Sequence, residues 1–192
     1  MDFPQRLRTQ HLLLSRIGRN DLDDFTRMRN DPQVTRVLGV TDSQQAAALI
    51  HQLTEHWQRH GYGWWTARDP HSGAFLGCGG LRSGTVEGMR VTEVAYGFLP
   101  EHWRRGYATE LVRVAVAQGF VRLGACDIVS FVLPQNSASR RVMEKAGFIS
   151  GPELIHTGRP HVLYRLEVDA WRVAPLVRAA YEPRPAGVLQ AV

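Results

Sequence analysis

The chain has 192 residues, of which 44% are hydrophobic and 21% are charged, and this composition is typical of one globular domain with a full core. It contains no run of about 18 uncharged apolar residues and no basic-then-apolar start, so we expect a cytoplasmic protein without a membrane span or signal peptide. The formal charge of +5 favours acidic partners, but the arginines are scattered and no basic stretch interleaves with aromatic residues, which argues against nucleic acid as the main ligand.

A strand and a short helix are predicted near the N-terminus. Leu12, Leu14 and Ile17 indicate the strand. The segment Asn20–Asp23 has the polar residues of a capped helix start, and the helix is expected to end before Pro32. These two elements open the predicted domain.

A longer second helix is predicted up to Gly61. Thr41, Asp42 and Ser43 are the candidates for its N-cap. Apolar side chains then recur at helical spacing, at Ala46, Leu49, Ile50, Leu53 and Trp57. This periodicity predicts an amphipathic helix that packs one face against the core.

The middle of the chain changes from a helical to a strand pattern. Tyr62–Arg68 and Ala74–Leu81 are short apolar runs on either side of the turn sequence Asp69–Gly73, and together they predict a hairpin. A further strand is predicted over Arg90–Leu99, and a loop that contains glycine follows from Pro100.

Helices and strands alternate in the second half. The helix after the glycine-containing loop is long and is expected to end at Gly124. A strand over Asp127–Leu133, a helix over Ser137–Ala146 and two strands around the turn Gly158–Pro160 follow. Hairpins mixed with strand-helix-strand crossovers predict an α/β fold with a mixed sheet, neither wholly parallel nor a barrel.

One domain is predicted over residues 1–174. A weakly patterned tail, 175–192, follows it, and we expect this tail to be loosely attached because four helix- and strand-breaking residues interrupt it. These residues are Pro175, Pro183, Pro185 and Gly187.

The loop before the long helix has the arrangement of a phosphate-binding site. The first N–H groups of a helix lack intrahelical partners, and the helix dipole is positive there. Gly106 and the small Ala108 allow close approach of a phosphate, while Arg104 and Arg105 add positive charge. A glycine before a helix is also common in ordinary turns, and neither the P-loop spacing nor the dinucleotide spacing occurs.

This loop and its companions resemble the GNAT superfamily of N-acetyltransferases, and in particular its RimJ/RimL-type branch. The residues that carry the resemblance are Trp103–Glu110, Asn136, Ser139, Glu144–Phe148, Leu7–Leu14 and Leu76–Leu81. The similarity covers the chain from Leu7 to Trp171. It implies a mixed sheet of about seven strands flanked by about four helices, whose two central parallel strands splay apart and admit the pantetheine arm.

The resemblance also implies the cosubstrate, which is acetyl-coenzyme A. No metal is expected, because no H-E-x-x-H motif occurs. The backbone of Arg104, Arg105, Gly106 and Ala108 would bind the pyrophosphate. The other cofactor-binding residues would be Phe98, Leu99, Tyr107, Thr109, Asn136 and Ser139. Trp103 stands where the superfamily pattern has Gln or Arg, a change that backbone contacts tolerate. Asn136 would hydrogen-bond the pantetheine, and its alternative role is that of a helix N-cap.

The resemblance implies two candidates for proton transfer. Glu93 is the candidate base, and its alternative is a solvated carboxylate or the charge partner of an arginine. Many members place a tyrosine in the helix after Asn136, but this chain has Met143 there, so Ser139 is the substitute candidate acid or else a helix cap. Backbone N–H groups from Tyr96 onward would stabilise the oxyanion.

The acceptor implied by the resemblance is a primary amine, either a protein N-terminal α-amine or a small-molecule amine. The α-amine is favoured because its pKa of about 8 leaves more neutral amine at pH 7 than a lysine pKa of about 10.4. His156 and His161 could face the acceptor groove. The rival hypothesis is a non-catalytic module that binds acyl-coenzyme A or ribosomal RNA, and a homodimer is one expected assembly because relatives are often dimers.

Overall fold

The computed structural model describes residues 2–38, 42–86 and 88–173, which form one eight-stranded sheet with helices on both faces. The strands are β1 (Arg6–Arg8), β2 (Leu13–Arg16), β3 (Trp64–Arg68), β4 (Phe75–Val86), β5 (Met89–Phe98), β6 (Asp127–Val132), β7 (Ile149–His156) and β8 (Arg159–Glu167). The helices are α1 (Leu22–Asn30), α2 (Pro32–Leu38), α3 (Ser43–His60), α4 (Tyr107–Arg122), α5 (Ser137–Lys145) and α6 (Val168–Val173). No helix in these ranges is long and apolar enough to cross a membrane.

The sheet is mixed, with the strand order β1-β2-β3-β4-β5-β6-β8-β7. Only the β5–β6 pair is parallel among the described strands, because α4 carries the chain back across the sheet between them. The other neighbours are antiparallel, as for the hairpin of β3 and β4. The predicted hairpin and the predicted mixed sheet are therefore confirmed.

The two parallel strands separate soon after they meet. They share one registered position, where Glu93 lies opposite Val129. Beyond it β5 continues to Phe98 and β6 continues to Val132 without pairing. The splayed central strands that the family resemblance implied are thus confirmed, and we call the space between them the β5–β6 gap.

Local sequence signals explain the ends of α3. The Asp42 carboxylate accepts the Gln45 N–H at 2.7 Å, and the Gln45 side chain accepts the Asp42 N–H at 3.3 Å, which completes a capping box. Gly61 follows the helix with a φ of 74°, the left-handed conformation that glycine adopts without strain. Asp42 is confirmed as the cap, and Thr41 lies outside the described residues.

Helix α4 packs unusually close to the sheet. A Cβ atom placed on Gly119 would lie 2.7 Å from the end of the Ile128 side chain and 2.9 Å from the end of the Leu81 side chain, so a larger residue there would require these side chains to shift. The helix is buried along most of its length from Leu111 to Phe120. This packing holds α4 against the sheet.

The described residues hold more elements than the sequence indicated, namely eight strands and six helices. Pro32 ends α1 as predicted but also begins α2, because proline fits the first position of a helix. The three-residue β1 and the short α6 carry too little periodicity to be detected. The predicted tail 175–192 lies outside the described residues, so the domain boundary at 174 stays a prediction.

Candidate active site at the β5–β6 gap

The two faces of the sheet carry different residues of β5. A Cβ atom on Gly97 would lie 3.1 Å from Leu38 of α2 and 3.3 Å from Met28 of α1, so this face is covered by α1 and α2. Because successive side chains of a strand alternate between faces, Glu93 shares the face of Gly97. Tyr96 occupies the opposite face, the one that α4 covers.

Backbone N–H groups of β5 point into the gap. The Leu99 N–H donates to the Leu76 carbonyl of β4 at 3.0 Å. Since backbone groups alternate in direction along a strand, the N–H groups of Phe98 and Tyr96 point away from β4 toward β6. The Phe98 carbonyl accepts the Trp103 indole N–H at 2.8 Å, which ties the following loop to the strand end.

The loop between β5 and α4 presents the start of α4 at the gap. Arg104 and Gly106 adopt left-handed φ angles of 62° and 85°, and α4 begins at the next residue. No side chain caps this helix, and its first intrahelical bond runs from the Glu110 N–H to the Gly106 carbonyl. The N–H groups of residues 107–109 therefore belong to an uncapped helical turn, which is suited to an anion.

Asn136 lies at the same edge of the sheet, because it follows the carboxyl end of β6 as the loop follows that of β5. Its side-chain oxygen accepts the Ser139 N–H at 3.0 Å, so the N-cap alternative is observed. Among the described residues, none accepts a hydrogen bond from its amide nitrogen. The second function predicted for Asn136, toward pantetheine, remains a prediction.

Ser139 lies beside the buried side chain of Tyr96, a residue for which only a backbone function was predicted. The Tyr96 hydroxyl is buried and makes no hydrogen bond of good geometry to the described residues, and Ser139 is the polar side chain beside it. Burial raises the pKa of Tyr96 to about 12, and the nearby Ser139 hydroxyl opposes this shift. Tyr96 is therefore a protonated donor at neutral pH.

Glu93 is the charge partner of an arginine, one of the two alternatives for this residue. It is 4% exposed, and it lies directly opposite Arg82 in the β4–β5 register. Arg82 donates from Nε to Oε2 at 2.9 Å and from Nη2 to Oε1 at 2.8 Å. Both carboxylate oxygens are thus already engaged by the guanidinium.

A cavity of about 280 Å³ opens at the gap. Its polar walls include the predicted site residues, the two histidines that were expected to face the acceptor groove, and Tyr96. These residues are Glu93, Asn136, Ser139, His156, His161 and Tyr96. Phe98, Leu99 and the loop residues 104–109 do not line it and lie at the adjacent edge of the sheet. The fold therefore separates the edge that carries the uncapped start of α4 from the cavity.

His156 forms one wall of the cavity. Its ring stacks on Phe131 of β6, with the ring centroids 3.8 Å apart and the planes 6° from parallel, and His161 meets it edge-on at 5.5 Å. Burial lowers the pKa of His156; Glu93 opposes this shift, while His161 and Arg82 add to it. His156 is therefore a neutral imidazole at pH 7.

Within residues 2–38, 42–86 and 88–173, no group of three or more His, Cys, Asp or Glu side chains could hold a metal ion. The uncapped start of α4 has free space around Gly106, as a phosphate ligand would require.

Comparison with known proteins agrees with this geometry. A family model described as acetyltransferase (GNAT) domain matches residues 11–149. An uncharacterized N-acetyltransferase of Bacillus subtilis (strain 168), YoaA, is 30% identical over 146 residues, which cover 74% of this chain and 81% of the relative.

Two solved structures share the fold. A ribosomal-protein-S5-alanine acetyltransferase from Vibrio fischeri superposes with a TM-score of 0.69 at 16% identity, covering 86% of this chain and 98% of that one. The aminoglycoside acetyltransferase AAC(6')-Ib in complex with coenzyme A also gives 0.69, at 18% identity, covering 83% and 96%. With the family model spanning most of its length, the chain belongs to the GNAT family of acetyltransferases.

Proposed function

We propose that the protein transfers an acetyl group from acetyl-coenzyme A directly to a primary amine, either a protein N-terminal α-amine or a small-molecule amine. The observation that carries this proposal is the β5–β6 gap, which leads from the uncapped start of α4 to the polar cavity. An extended pantetheine arm has the shape to enter this gap. The membership of the GNAT family supports the same cosubstrate.

The loop residues would hold the pyrophosphate. The backbone N–H groups of Arg104, Arg105 and Gly106 and of residues 107–109 are the proposed ligands, with the helix dipole adding attraction. No heavy atom lies within 4 Å of a Cβ placed on Gly106, so the approach to this backbone is open. Phe98, Leu99 and Asn136 would contact the pantetheine amides.

The chemistry needs two proton transfers and one stabilised oxygen. The amine nitrogen attacks the thioester carbonyl carbon and the carbon–sulfur bond breaks, while the N–H of Tyr96 is aimed into the gap where the oxyanion develops. Glu93 would draw one proton from the amine through an intermediate acceptor, because Arg82 already engages both of its oxygens. Ser139 would give a proton to the departing sulfur, with the Tyr96 hydroxyl beside it as a reserve donor.

The acceptor class is supported by the relatives of known activity. The Vibrio fischeri neighbour acts on an alanine of ribosomal protein S5, and AAC(6')-Ib acts on aminoglycosides. We favour an α-amine as the acceptor, because its pKa of about 8 leaves more neutral amine at pH 7 than the higher pKa of a lysine side chain does. The sequence resemblance to the RimJ/RimL-type branch favours the same acceptor.

A panel of amines tests the proposal. The chain is incubated with acetyl-coenzyme A and with peptides that have free N-termini, free lysine and small primary amines, and products are followed by mass spectrometry. We expect an added acetyl group on at least one α-amine. If no amine in the panel gains an acetyl group, the proposed activity is wrong.

The second candidate is a non-catalytic module that binds acyl-coenzyme A or ribosomal RNA. The net charge of +5 and the exposed Arg104 and Arg105 favour it. The Glu93→Gln variant separates the two hypotheses, because an enzyme loses turnover and keeps coenzyme A affinity. A wild type without turnover that binds RNA tightly and with steep salt dependence would support the module.

A further inference from the structure

The proposed reaction requires a proton acceptor on the acceptor side of the cavity. An amine that arrives as ammonium must lose one proton before its nitrogen can attack the thioester. Besides arginines, which stay protonated, the titratable groups in the cavity wall are Glu93, Tyr96, His156 and His161. Each can be judged by the contacts it already makes.

Two of these groups are poor acceptors. Both oxygens of Glu93 already accept N–H groups from Arg82. Tyr96 carries its proton at neutral pH, because burial raises its pKa to about 12. His161 donates from Nδ1 to the Arg159 carbonyl at 2.9 Å, which leaves its Nε2 as an acceptor and makes His161 the competing candidate.

His156 has the geometry of an acceptor. Neither of its ring nitrogens forms a hydrogen bond with any residue that the structure describes, while stacking on Phe131 fixes the plane of the ring. Phe131 and Val129 lie on the same face of β6, and Val129 is the register partner of Glu93. His156 therefore stands on the acceptor side of the sheet, the side of Glu93.

We propose that His156 is the catalytic base of this enzyme and takes the proton of the acceptor ammonium. This inference rests on the proposed acetyl transfer. The ammonium gives one proton to a ring nitrogen of His156, which passes it to solvent. The neutral amine nitrogen then attacks the thioester carbonyl carbon and forms the amide bond, while the carbon–sulfur bond breaks. The nitrogen loses a second proton and the departing sulfur gains one, so the products are the amide and the thiol of coenzyme A.

The charges around His156 suit this function. Glu93 faces it from β5, Arg82 from β4 and His161 from β8, while β6 contributes the uncharged Phe131. Burial, His161 and Arg82 keep the imidazole neutral in the resting enzyme. Glu93 stabilises the imidazolium that forms, which makes it a positioning residue that acts through His156.

The test compares His156→Asn with His161→Asn, the competing candidate, and with the exposed control His71→Asn, in the full chain, on the amine that the wild type acetylates fastest. We expect His156→Asn to lower kcat/KM by roughly 10²–10⁴-fold, the usual contribution of a general base, and His71→Asn to leave it unchanged. A loss of that size in His161→Asn alone would transfer the function to His161. Coenzyme A affinity, measured by titration calorimetry, should be equal in all four proteins.

The pH profile separates a base from a merely structural residue. Wild-type kcat/KM should change little between pH 6.5 and 7.5, because His156 accepts the proton of bound ammonium. The kcat/KM of His156→Asn should rise about tenfold between pH 6.5 and 7.5, because without the base only the free neutral amine reacts. Equal rates or parallel profiles for the two proteins would overturn the assignment of His156. Absence of any acetylated product from the wild type would instead overturn the proposed function, and this inference with it.

Discussion

Arg82 and Glu93 face each other across neighbouring strands and join through two parallel hydrogen bonds of 2.9 and 2.8 Å. The carboxylate is almost fully buried, whereas the Arg82 side chain is 37% exposed. A buried carboxylate depends on such a partner, since its charge would otherwise lack compensation in a low-dielectric surrounding.

Removal of this partner should destabilise the fold. We expect Arg82→Met to lower the free energy of unfolding by about 2–3 kcal/mol, because Glu93 is left without its donors. The double variant Arg82→Met with Glu93→Gln should recover at least half of the loss. Urea denaturation measures both, and a single variant within about 0.5 kcal/mol of the wild type would contradict the expectation.

Gly106→Ala should weaken coenzyme A binding, and Gly124→Ala is its matched control. Both glycines have positive φ angles, of 85° and 63°, and neither has a heavy atom within 4 Å of an added Cβ. Each substitution should therefore cost about 1 kcal/mol of stability through backbone strain. Only Gly106→Ala should raise the Kd for coenzyme A, by tenfold or more, in titration calorimetry. Equal affinities would show that the loop is not the pyrophosphate site.

Ser139→Ala tests the proposed acid, with Ser137→Ala as the control in the same helical turn. Asn136 caps α5 through the backbone N–H of Ser139, so the substitution removes the hydroxyl and keeps the cap. If Ser139 protonates the sulfur, kcat should fall by roughly 10²-fold. An unchanged kcat for Ser139→Ala together with a loss in Tyr96→Phe would transfer this function to Tyr96.

His56 should make stability depend on pH. Its Nε2 accepts the Ser83 N–H at 2.9 Å, so the proton sits on Nδ1, 2.9 Å from the Tyr62 carbonyl. Burial lowers its pKa, so the folded protein binds this proton less readily than the unfolded chain. Stability is therefore full above pH 6.5 and falls as the pH drops through 6.5 toward the lowered pKa.

The measurement for His56 is the Tm between pH 7.5 and 5.5. The Tm of His56→Gln should depend less on pH than the Tm of the wild type. Some dependence should remain, because the lowered pKa of His156 also reduces stability as the pH falls. His51→Gln, on the same helix and more than half exposed, should retain the wild-type slope. A wild-type slope in His56→Gln would contradict this assignment.

The charge of the cavity should select among amines. Arg82 and Arg159 line it beside two histidines, and Glu93 is the one carboxylate among its described walls. Polycationic acceptors should therefore be disfavoured, because they would place further positive charge beside these guanidinium groups. We expect kcat/KM for kanamycin to be at least tenfold below that for an uncharged-side-chain peptide α-amine. The reverse order would contradict this reading of the cavity.

Local signals made most of the fold predictable. The cap at Asp42, the stop at Gly61 and the helical period between them all lie within one segment, so α3 could be read from its own residues. The strand β1 has three residues and exists through pairing with β2, a contact that no local pattern encodes. Pro32 was ambiguous because proline both ends one helix and begins the next.

The candidate site was predictable where a motif is contiguous, as in the loop around Gly106. The partner of Glu93 lies eleven residues earlier in the sequence, and choosing Arg82 required the β4–β5 register. Tyr96 and His156 come together at the cavity through the strand order, which places β8 and β7 beyond β6. Their meeting depends on topology, so no spacing in the sequence could indicate it.

The single registered position between β5 and β6 divides the sheet into two hydrogen-bonded halves, β1–β5 and β6–β8. A pantetheine arm in the gap would bridge them much as an additional strand does. Deuterium exchange at the Tyr96 and Phe98 amides should then slow as coenzyme A is added, and unfolding of the two halves should become more cooperative. The cosubstrate would in this way complete the sheet that binds it.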